Sequence, residues 1–125
     1  MGLTRKEQLE NVLKNLDAIA GVEGSAVVTK DGLIVVSDLK AGLNADTFAA
    51  MSATMFGAAE TALEELKKGS IEMVITETRE SRLVALESSQ DCILVALVQE
   101  KADLGPILGE LKKAAGEARK IIENE

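Results

Sequence analysis

The chain has 125 residues, enough for one domain with one core, and nothing in its composition marks a second unit. Twenty-one acidic against fourteen basic residues give a net charge of −7, which speaks against nucleic acid or an anionic membrane as the main partner. Histidine is absent and Cys92 is the one cysteine, which excludes every Ser-His or Cys-His arrangement, an internal disulfide and a thiolate metal cage.

The N-terminus, M-G-L-T-R-K-E, leads into an amphipathic pattern, and no run of about eighteen apolar residues follows anywhere. A soluble, cytoplasmic protein without membrane insertion is expected. Thr4 and Glu7 have the spacing of a capping box, and Leu9, Val12, Leu13, Leu16 and Ile19 recur at helical intervals. The first helix is predicted from about Thr4 to Ala20, ended by Gly21. A strand from Gly24 to Lys30, a two-residue Asp31-Gly32 hairpin turn and a strand from Leu33 to Asp38 come next.

From Thr47 to Ala59 the chain reads T-F-A-A-M-S-A-T-M-F-G-A-A, uncharged throughout in a protein that is 28% charged. Taken as a helix capped by Asn44 or Asp46 and stopped at Gly69, it gathers Phe48, Met51, Ser52, Met55, Ala59, Ala62, Leu63 and Leu66 on a core-facing side. The opposite side carries Ala50, Ala53, Thr54, Gly57 and Thr61. A face turned to water normally bears Lys or Glu, whereas small residues at spacings of three and four let another helix approach closely. This face is predicted to be a self-association surface; the alternative is that a second layer of the same chain covers it.

Three apolar runs follow, Ile71 to Thr76, Leu83 to Ser88 and Ile93 to Gln99, separated by short polar turns that imply an antiparallel meander. The last of them contains I-L-V-A-L-V with no polar residue, as suits a strand covered on both faces. Placing it centrally gives the order 2-1-5-4-3. The third strand is then an edge without proline or lysine to blunt it, so Met73 and Ile75 are assigned with the helix face to one dimer surface. Asp103 caps a last helix, Leu104 to Asn124. The predicted fold is α+β, an α/β sandwich in the order α-β-β-α-β-β-β-α. The long second helix lies on one face of a five-stranded antiparallel sheet and the terminal helices on the other, and a homodimer extends the sheet.

No P-loop and no G-x-G-x-x-G after a strand occur, and the serines lack both a base and a nucleophile elbow. Glu64-Glu65 and Glu123 to Glu125 lie on exposed helical turns, where a carboxylate keeps an ordinary pKa. Cys92, at the head of an apolar strand, is expected to be a buried, inert thiol. No catalytic residue, cofactor site or metal site is predicted, and the sequence points away from an enzyme.

The element order, the D-G-L-I-V-V-S segment at Asp31 to Ser37, the alanine-rich helix and C-I-L-V-A-L-V-Q-E-K-A-D-L-G-P-I-L-G-E-L at Cys92 to Leu111 together resemble the roadblock (dynein light chain) family. The resemblance spans nearly the whole chain, residues 1–125 as a single domain, and is most specific at Ala102 to Gly105, where the last strand steps into the final helix. It is similar to the stand-alone prokaryotic branch. The resemblance implies a homodimer joined by second helices and third strands, and a small Ras-like GTPase as partner, with the dimer acting as scaffold, regulator or activator of hydrolysis. Arg79 and Arg82 lie near a turn and are read as serving its solubility, not as an arginine finger. The alternative is a ligand-sensing or purely structural α/β dimer of profilin-like type.

Overall fold

Thr4 starts the first helix by reciprocal capping: its hydroxyl accepts the Glu7 N–H at 3.1 Å, and the Glu7 carboxylate accepts the Thr4 N–H at 3.0 Å. That backbone N–H, with the hydroxyl, holds the Glu7 carboxyl below its ordinary value. In the computed structural model, which describes residues 2–124, the helix α1 (Arg5–Asp17) is capped at Ala18. It therefore ends short of the predicted Ala20, because Ile19 N–H already turns back to the Leu16 carbonyl at 3.0 Å. Gly21, at φ 98°, redirects the chain into β1 (Val22–Thr29).

The first hairpin differs from its prediction. Thr29 N–H bonds to the Leu33 carbonyl at 2.8 Å, so the loop has three residues, Lys30, Asp31 and Gly32, and only Gly32 has positive φ. A two-residue I′ turn needs positive φ at both central positions, and Asp31 does not supply it. The partner strand is β2 (Ile34–Asp38). Val27 pairs with Val36 and Val28 with Ile34, which leaves Val35 as the extra residue of a β-bulge in this edge strand.

The long helix α2 (Ala45–Glu65) is N-capped by the Asn44 side chain, which accepts the Thr47 N–H at 3.0 Å. Its end lies before Gly69. Lys67 takes the left-handed conformation (φ 54°), its N–H reaching the Glu64 carbonyl while Lys68 N–H reaches the Leu63 carbonyl. This is a Schellman closure with a lysine where glycine is the usual choice. Replacing Lys67 by glycine is expected to raise unfolding stability by about 1 kcal/mol, read as a higher urea midpoint at unchanged slope.

The meander is β3 (Met73–Glu77), β4 (Ser81–Glu87) and β5 (Cys92–Gln99), followed by α3 (Leu104–Glu123). All neighbours pair antiparallel in the order β2-β1-β5-β4-β3, as the apolar run of β5 predicts. Residues on β5 alternate between two cores. Cys92, Leu94, Ala96 and Val98 join Leu9, Leu13, Leu16, Ile107 and Leu111 beneath α1 and α3. Ile93 and Val95 join Ala26, Val28, Ala49, Phe56 and Ala85 beneath α2. The Cys92 thiol is buried, and that burial pushes it up, away from the reactive thiolate.

Candidate interaction surface

Phe56 fixes how α2 sits on the sheet. It is 1% exposed, among the largest fully buried side chains, and Ala49, Ser52 and Ala53 are buried on the same side of the helix. The wheel is therefore turned from the predicted phase. Met51 and Leu66, expected inward, are 58% and 64% exposed. Ala53, expected on the outer face, is 6% exposed and packed against the chain's own strands. A side chain of Phe56's size gains more from burial than any of the small residues around it, so it decides the rotation.

The other outer-face residues separate accordingly. Ala50 is half-buried against the first hairpin, so close that a Cβ on Gly32 would stand 3.1 Å from its Cα. Gly57 is half-buried on the same flank and faces open space. Thr54 and Thr61 are exposed on top, with the Thr54 hydroxyl donating to the Ala50 carbonyl at 2.8 Å. On β3, Met73 packs toward the α1/α3 core and Val74 toward the α2 core, so by alternation Ile75 lies on the face away from α2. The predicted residues thus fall in three places, Ala53 in the core beneath α2, the other helix members on its outer side, and Met73 and Ile75 on edge strand β3. Their helix and strand members lie on opposite faces of the sheet.

A different set does converge. The flank of α2 that leans toward β3 carries Phe48, Met51 and Met55, and the Thr76 hydroxyl donates to the Met55 sulfur at 3.0 Å. With Leu43 and Leu83 these side chains line an open apolar groove of about 490 Å³. At its floor the Ser52 hydroxyl is buried and finds no hydrogen-bond partner among the described residues. Beside the groove, β3 ends the sheet, bonded to β4 on one side only. The signal for this set was present in the sequence: centring the helical wheel on Phe56 instead of on the Met51–Met55 stripe gives the observed flank.

The far end of α2 is anchored electrostatically. Lys30 Nζ lies 2.7 Å from Glu87, 3.4 Å from Glu60 and 5.7 Å from the centre of the Phe56 ring. Burial pushes the Lys30 ammonium down, but Glu87 and then Glu60 outweigh it and hold it above its ordinary value. Among the described residues, no ion pair ties down the groove side of α2. No helix among the described residues is long and apolar enough to cross a membrane, and those residues hold no cluster of three or more metal-capable side chains.

Against known proteins, the Roadblock/LC7 domain family model matches residues 8–98. The chain belongs to the Roadblock/LC7 domain family. Uncharacterized protein MJ0310 of Methanocaldococcus jannaschii is 33% identical over 114 residues, 91% of this chain and 99% of that protein. MglB of Myxococcus xanthus has the same fold at a TM-score of 0.89 and 19% identity, over 98% of this chain and 93% of that one. A second MglB structure, described with a tetrameric arrangement, matches at a TM-score of 0.88 and 19% identity over 98% and 93% of the respective chains. This Roadblock/LC7 domain accordingly has the three helices and the 2-1-5-4-3 sheet of the roadblock fold.

Proposed function

We propose that this Roadblock/LC7 domain is a non-enzymatic homodimeric module of the cytoplasm that binds a small Ras-like GTPase and modulates its GTP hydrolysis. The observation that carries the dimer is the apolar groove of Phe48, Met51, Met55 and Leu83 lying directly beside the terminal strand β3. A two-fold axis perpendicular to the sheet at that edge pairs β3 antiparallel with its copy, keeps both α2 helices on one face and covers both grooves at once. It also brings a second chain to the orphan Ser52 hydroxyl, which a buried polar group requires. The tetrameric arrangement described for an MglB of the same fold supports self-association. Membership of the Roadblock/LC7 domain family supports the reading of a GTPase partner. Arg82 does not suit an inserted finger, because it is held by Glu77 and the Ala102 carbonyl. Stimulation of hydrolysis would then work by repositioning the partner's own groups.

The test is capture from native extract on immobilised dimer, with a GTP analogue or GDP present, followed by single-turnover hydrolysis with the purified partner. A Ras-like GTPase is expected to be retained and its hydrolysis rate altered, while the chain alone turns over no nucleotide. Retention of no nucleotide-binding protein defeats the partner assignment, and hydrolysis by the chain alone defeats the non-enzymatic one.

A further inference from the structure

On the face of the sheet away from α2, α1 packs on β1 and β2, and α3 packs on β4 and β5. Strands lie about 4.8 Å apart and packed helices about 8–10 Å apart, so one helix covers about two strands. The remaining strand, β3, is a strip half as wide as a further helix needs. On it Met73 is half-buried at the foot of α3, and Ile75 is 40% exposed. Beside Met73 an open cleft of about 540 Å³ runs between the start of β3 and α3, walled on the helix side by Lys112, Ala115, Gly116 and Arg119.

The dimer proposed above doubles this strip, and the backbone sets how it does so. Glu87 N–H reaches the Glu72 carbonyl at 3.2 Å and Thr78 N–H the Ser81 carbonyl at 2.8 Å, so Glu72, Val74, Thr76 and Thr78 turn their backbone groups toward β4. Met73, Ile75 and Glu77 turn theirs to the free edge. A two-fold axis at Ile75 engages all of these, setting Ile75 beside its copy and Met73 beside Glu77 of the second chain. Centring the axis one residue to either side leaves Glu77 or Met73 without a strand residue opposite it. The strip between the two α3 helices is then two strands wide, with two adjacent Ile75 side chains on its floor.

We propose that this strip is a slot for a single amphipathic helix of a partner protein, one helix for each pair of chains. The inference rests on the dimer reading. The slot has the width of one helix, its floor is apolar, and its walls permit close approach: Gly109 and Gly116, on one side of α3, both face open space. Of the charged groups at the cleft, Glu87 is held by Lys30 and Arg119 by Glu123, which leaves Lys112 and Glu72 outside any ion pair among the described residues. A helix that fits therefore carries an apolar stripe for the Ile75 pair, flanked by side chains of both signs. Because the slot straddles the two-fold axis, one helix fills it and excludes a second.

The probe is a displayed library of amphipathic helical peptides, selected on the full chain, with the selected peptides then measured by calorimetry and by amide-shift mapping. Binding is expected at one peptide per two chains, with shifts at Ile75 and Gly116. Gly116→Leu places a side chain in the open slot from each copy, so it should weaken binding about tenfold or more while sedimentation and circular dichroism stay as in the wild type. A chain that sediments as a monomer overturns the dimer reading and the slot with it. A dimer that selects no peptide, binds one peptide per chain, or binds equally well with Gly116→Leu overturns the slot alone.

Discussion

Met51→Glu is expected to convert the proposed dimer into a monomer that keeps its fold. Met51 is 58% exposed and lines the groove without contributing to the core beneath α2, so the substitution leaves the buried packing intact. In the dimer it places an uncompensated carboxylate against apolar surface, and two-fold symmetry repeats the cost in each copy. At about 2 kcal/mol per copy, the dissociation constant rises roughly a thousandfold. Sedimentation velocity at micromolar concentration reads the change, with circular dichroism as the control for folding. Gly57→Glu is the contrast, since Gly57 lies on the flank toward Ala50 and the first hairpin. It should remain dimeric. If Gly57→Glu dissociates and Met51→Glu does not, the interface lies on the opposite flank of α2 from the one assigned.

The largest loss of stability is expected from Phe56→Ala. The ring fills the space between α2 and the sheet, against Ala26, Val28, Ala49, Ala85 and Ile93, where the neighbouring side chains are too small to close over a void. Truncating a buried Phe costs about 3–5 kcal/mol, a large share of a domain stability of about 5–15 kcal/mol. The ring also lies beneath Lys30, so its removal loosens the bridge by which Lys30 ties Glu60 of the helix to Glu87 of β4. A urea midpoint within error of the wild type would show that Phe56 is not the anchor of α2.

The order of elements and the topology were legible because two periodicities are strong here: the helical recurrence of Leu9, Val12, Leu13 and Leu16, and the unbroken apolar run of β5. Hydrogen-bond geometry sets the element ends, and composition reports it poorly. Lys67 closes α2 although Gly69 is the better left-handed residue, and Gly32 makes a three-residue loop out of what reads as a two-residue turn. The phase of α2 was hard to read for a related reason. Alanine, serine, threonine and glycine all round the helix leave little contrast between faces, so one bulky residue decides the rotation. Asp17 and Ser25 were not legible as hydrogen-bond partners, one ending a helix and the other lying inside the strand that follows. Nothing local announces that they meet.

The two borders of the sheet are unlike. At β2 the bulge around Val35 breaks the regular row of backbone groups, whereas β3 keeps an even register along its whole length. One border is regular enough for the further strand of the proposed dimer, and the other is not. A building block with a single receptive border joins once and is then finished, so in the proposed dimer lateral growth of the sheet would stop at a pair and not run on into a fibre.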